Sequence, residues 1–130
     1  MNTILTLIII LVLLGILDFL WLTIIAKKFY AKELGNSLRK NFNFYSAIIV
    51  YIFLALGIFI FVLNNVFVEN PLSALLIGII FGIIVYGVYD LTNYAILKNY
   101  SLKLTVIDIA WGGFILGITS FLTKYISGLF

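Results

Sequence analysis

"ENPLSALLIGIIFGIIVYGVYDLTNYAIL", residues 69–97, is the stretch that decides the fold. Asn70 is a good helix cap, Pro71 suits the first helical position, and Glu69 sits at the positive end of the helix dipole. From Leu72 to Leu97 the chain is almost wholly apolar. A hydrocarbon core of roughly 30 Å is crossed by about 20 such residues in a helix, so this is a membrane span. It nevertheless holds a carboxylate, Asp90.

Three further stretches have the same character: Thr3 to Ala26, Phe44 to Val68 and Leu102 to Ile126. The 130 residues are 65% hydrophobic and 10% charged, with a mean hydropathy of +1.26, which ordinary soluble domains do not approach. The expected fold is all-α, a single membrane domain over residues 1–130 forming a four-transmembrane-helix bundle. The first apolar run reads as a retained helix rather than a cleaved signal peptide. No basic residue precedes it, no small-residue cleavage site follows it, and "AKKFY" fixes its downstream end.

The chain has no cysteine and no histidine. That removes disulfides, thiolate metal sites and the usual neutral-pH proton carrier, so any proton or metal chemistry rests on carboxylates. The acids are Asp18, Glu33, Glu69, Asp90 and Asp108. No motif for an organic cofactor or for nucleic acid is present, and the pI near 9.2 reads as a topology signal. Loops one ("KKFYAKELGNSLRKNFN", 27–43) and three ("KNYSL", 98–102), with Lys103 directly after the latter, hold seven of the eight basic residues, while loop two holds only Glu69. The positive-inside rule puts loops one and three in the cytoplasm and both termini outside, in the cell (inner) membrane. Loop one has the makings of an interfacial helix, with Phe29, Tyr30, Leu34 and Leu38 on acyl chains and its lysines on anionic head groups; the alternative is a plain topology anchor.

Small residues at four-residue spacing, Gly78 with Gly82 and Gly113 with Gly117, predict close helix approach. GxxDxxW at Gly15, Asp18 and Trp21 parallels GxxDxxN at Gly87, Asp90 and Asn93, which suggests two parallel two-helix repeats. Helix two is uncharged from Asn43 to Val68 and is expected to serve packing or homo-oligomer contact, leaving the polar cluster to helices one, three and four.

Asp18 lies roughly 12 Å before the end of its helix, Asp90 roughly 10 Å before the end of the third, and Asp108 roughly 8 to 9 Å inside the fourth. All three are thus expected at one depth. An aspartate in mid-span costs about 2.5 to 3.5 kcal/mol on insertion scales, which is tolerable only if it faces the bundle interior, shares a proton, binds a cation or finds donors. At about 100° per residue, Gly78, Gly82, Tyr86, Tyr89, Asp90, Thr92 and Asn93 share a face of helix three, opposite Ile80, Ile84, Val88 and Leu91. Thr105, Asp108, Gly112 and Thr119 share a face of helix four. Trp21 and Trp111, each three residues after an aspartate, add indole donors or act as interfacial anchors. Candidate ion- or substrate-binding residues are therefore Asp18, Asp90, Asp108, Asn93, Tyr86, Tyr89, Thr92, Thr105, Trp21 and Trp111. The same residues also allow static interhelical bonding with no site at all.

"LDFLWL" at 17–22, "FY" at 29–30, "YDLTNYAIL" at 89–97 and "VIDIAWG" at 106–112 carry a resemblance. Together they resemble a family of small predicted four-helix membrane proteins, domain of unknown function 2177, over nearly the whole chain. The resemblance implies a compact multi-pass protein and no particular activity or cofactor.

Three functions fit. The leading expectation is a small carrier or ion- or proton-coupled transporter, with Asp90 as main site and Asp18 and Asp108 tuning it; dimerisation through helix two or the glycine faces would help it form a route. The second is an intramembrane enzyme on a lipid phosphate, its carboxylates holding a divalent metal and Lys27, Lys28, Lys98 or Lys103 meeting phosphate. The third is a structural or accessory subunit whose polar bonds fix helix register.

Overall fold

The computed structural model describes all 130 residues. α1 (Thr3–Leu20) runs on through a π-helical turn, Trp21–Ile25, closed by the Ala26 amide donating to the Trp21 carbonyl at 2.7 Å. A short amphipathic α2 (Lys27–Leu34) follows and stops at Gly35, whose φ of 49° lies in the region that favours glycine. α3 (Phe44–Gly57) continues as a second π turn, Ile58–Leu63. α4 (Pro71–Ile96) and α5 (Leu102–Ser127) complete the chain. Four of these helices are long and apolar enough to cross a membrane: Thr3–Ile25, Phe44–Leu63, Pro71–Ile96 and Leu102–Ser127. There is no strand.

Local chemistry sets the ends. Asn2, Asn43, Asn70 and Ser101 each cap a helix, accepting from the amides of Leu5, Ser46, Ser73 and Leu104. Ser73 returns the bond to Asn70, a reciprocal box at the start of α4. The second span ends at Leu63, whereas the hydropathy of the sequence runs on to Val68. The Asn64 and Asn65 amides turn back onto the Phe59 and Phe61 carbonyls, satisfying the helix end and letting the chain reverse.

α5 is the central helix, buried along most of its length, and α4 is its most extensive partner. A methyl on Gly82 would stand 2.1 Å from the Gly112 carbonyl oxygen, and one on Gly78 2.8 Å from that of Leu116, so these two backbones touch. α1 and α3 instead meet through side chains, Ile10 and Leu14 packing with Leu54, Ile58 and Val62. The two halves, read from the sequence as parallel repeats, are therefore packed in different ways. Ile80, Ile84, Val88 and Leu91 point outward, as the wheel of helix three predicts. α4 touches the second span along Ile58–Leu63 and diverges from α3 toward the end that carries loops one and three.

Candidate functional site

At that basic end each aspartate meets aromatic donors from other elements. Asp18 of α1 accepts from the Trp111 indole N–H at 3.1 Å through Oδ1 and from the Tyr51 hydroxyl of α3 through Oδ2. Asp108 of α5 accepts from the Tyr30 hydroxyl of α2 at 2.5 Å. Tyr30 in turn accepts from the Trp21 indole N–H at 3.1 Å. Asp90 of α4 accepts from the Tyr100 hydroxyl at 2.5 Å, with 0% of its surface exposed. Trp21 and Trp111 stack with ring centroids 4.4 Å apart and planes 5° from parallel. The stack joins the Asp18 bonds to the Asp108 bonds.

Asp90 of α4 and Asp108 of α5, on helices packed against each other, are electrostatic neighbours. Asp90 Oδ2, sealed from solvent, meets no donor. A carboxylate can accept but not donate, so Asp108 can satisfy Asp90, or the reverse, only when one of them is protonated. Two neighbouring carboxyls in a site of low dielectric do not both ionise readily; a proton held between them is the ordinary solution.

α2 closes over this site. Besides Tyr30, it sends Glu33 to the Ser101 hydroxyl, which donates at 2.8 Å. Lys103 stands 5.6 Å from the centre of the Phe29 ring, a cation–π contact. Tyr30 and Tyr100, which lie outside the spans, are held well above the ordinary phenol range, first by burial and then by their bonds to Asp108 and Asp90.

The sequence-derived candidates divide. Asp18, Asp90, Asp108, Trp21 and Trp111 belong to the network. The Tyr86 ring packs against Gly112, near the aspartates but without a hydrogen bond to them. Tyr89 is 60% exposed and, with Asn93, lines a groove beside Tyr100. Thr92 is exposed, lining an apolar hollow on the outer face of α4. Thr105 is buried, but its hydroxyl donates to its own helix, to the Ser101 carbonyl at 2.8 Å.

Two expectations need correcting. Helix two does contribute to the polar cluster, through Tyr51. Tyr30 turns its hydroxyl inward to Asp108 rather than lying on acyl chains. Sequence alone does not single out Tyr30, Tyr51 and Tyr100, because a tyrosine in or beside an apolar run reads as an amphipathic core or interface residue. The one available signal is that each buried carboxylate needs donors from elsewhere in the chain.

No group of three acids gathers in a way that would hold a metal ion. Asp18 in particular is occupied by O–H and N–H donors on both oxygens, so the donor set does not fit a divalent ion shared by all three aspartates. Five surface hollows lie along the helices and at their ends, and Asp18, Asp90 and Asp108 line none of these five.

A family model described as Predicted membrane protein (DUF2177) matches residues 3–125. The chain belongs to that family. DUF2177 brings a membrane assignment, in agreement with the four apolar helices, and no reaction. No curated protein and no solved structure is significantly similar to the chain.

Proposed function

We propose that the protein is a small proton-coupled carrier whose proton site is the Asp90–Asp108 pair. The observation that carries this reading is the sealed Asp90 carboxyl, with an oxygen lacking any donor, beside a second acid on the adjoining helix. Ionisable groups at membrane depth are by default functional candidates, and a proton shared between two acids is one that can leave when its surroundings change. Tyr30 and Tyr100 give the pair hydrogen-bonded connections toward the basic end, and α2 is the element whose lifting would open it. In this reading loops one and three face the cytoplasm and both termini face outside.

The test is proton flux in reconstituted vesicles carrying an internal pH dye. Asp90→Asn keeps an acceptor for Tyr100 and abolishes flux; flux equal to that of the unaltered protein removes the assignment. A second reading, an accessory subunit with a purely structural network, draws on Asp18, which is fully satisfied by two donors and needs no ligand. It expects no flux in any variant, and retained cellular function when all three aspartates are replaced by asparagine.

A further inference from the structure

Because α4 diverges from α3, the seam between them is open, and three hollows follow one another along it. The innermost, about 400 Å³, lies among Phe53, Gly57, Phe61 and Phe81. The next, about 340 Å³, is lined by Val50, Leu54, Val85, Tyr86 and Tyr89, and shares Leu54 and Val85 with the first. The third, about 440 Å³, shares Tyr89 and opens at the basic end, where its polar lining comes from Asn93, Lys98, Asn99 and Tyr100. Leu34 and Leu38 cover it from loop one.

The α4 wall is one ridge at four-residue spacing: Phe81, Val85, Tyr89 and Asn93. From Phe81 to Asn93, twelve residues on, it rises about 18 Å at 1.5 Å per residue, more than half of a hydrocarbon core of roughly 30 Å. The ridge is apolar below Tyr89 and polar above it. An empty apolar furrow of this size in a bilayer is filled by whatever apolar chain is at hand, and the polar head of that molecule must then sit at Asn93, Asn99 and Lys98. Amide donors with one ammonium group suit a phosphate, and the surrounding loops carry most of the positive charge of the chain.

We infer that the α3–α4 seam is a binding site for one anionic phospholipid, its phosphate at Lys98, Asn93 and Asn99 and an acyl chain along Val50, Leu54 and Val85. The site stands apart from the proton reading: it does not depend on the protonation of Asp90, although Tyr100 belongs to both. A lipid seated here lies against the partner of Asp90 and against the loop that carries α2.

The experiment is native mass spectrometry of the full chain released from mixed micelles of phosphatidylglycerol or phosphatidylcholine with the same acyl chains. The unaltered protein should retain one phosphatidylglycerol per chain and phosphatidylcholine several-fold less. Lys98→Ala, an exposed position, should lower phosphatidylglycerol retention about fivefold, the equivalent of roughly 1 kcal/mol per basic residue near a membrane surface, and leave phosphatidylcholine unchanged. Val50→Trp, which fills the middle hollow, should lower retention of both. Glycerol phosphate in solution should not displace the lipid. Equal retention of the two lipids, undiminished retention in Val50→Trp, or displacement by glycerol phosphate alone would overturn the proposal. So would efficient disulfide dimers of Val50→Cys, in a chain with no other cysteine, because a second copy would then cover the seam.

Discussion

The indoles of Trp21 and Trp111 lie flat on each other, 4.4 Å between centroids, while their N–H groups point to different acceptors. Trp111 serves Asp18, and Trp21 serves Tyr30, which serves Asp108. Replacing Trp111 with Phe keeps a stacking ring and removes one donor. The expected loss is about 0.6 kcal/mol, the average for an interhelical hydrogen bond in a membrane, read by unfolding in mixed micelles. Trp111→Ala also leaves a cavity between α1 and α5 and should cost about 3 kcal/mol or more.

Asp18→Ala strands two donors, the Tyr51 hydroxyl and the Trp111 indole. Asp18→Asn retains an acceptor oxygen. The alanine variant should lose about 1 to 2 kcal/mol and the asparagine variant about half of that. Equal losses in the two would show that the donors find other partners.

Glycines of the same helix should differ sharply. A methyl at Gly82 meets the Gly112 backbone, which has no freedom to move aside, so Gly82→Ala should cost about 1 to 3 kcal/mol or prevent folding. A methyl at Gly87, or at Gly15 in α1, meets nothing within 4 Å. Those two variants should stay within about 0.5 kcal/mol of the unaltered protein in the same unfolding assay. The contrast locates the close approach of α4 and α5.

Alkaline titration followed by phenolate absorbance should show Tyr30 and Tyr100 resisting ionisation past about pH 10, where a free phenol is half ionised. Their folded-state values are raised, so the folded chain holds their protons where the unfolded chain has released them. The stability they contribute is complete below about pH 10 and declines as pH rises above it. Tyr30→Phe and Tyr100→Phe should each remove one slow phenol from the titration. Titration of all eight tyrosines together near pH 10 would contradict the burial of these two.

The sequence alone settled that this is an all-α membrane chain with four apolar helices, because hydrocarbon thickness demands a run of apolar residues that no other fold needs. It also placed the Asn70–Pro71 start of α4 and the outward face of that helix, since capping and the 3.6-residue period are local rules. It singled out Asp18, Asp90 and Asp108 because a carboxylate in such runs is costly wherever it points. Which residues answer those carboxylates was decided only in three dimensions. Trp111 serves the aspartate of α1 rather than the one three places before it, and Tyr30 and Tyr51 come from a loop helix and an uncharged span. A hydrogen bond depends on where helix ends lie relative to one another, and the backbone contact of Gly82 with Gly112 and the two π turns set that placement. No periodicity within one helix contains it.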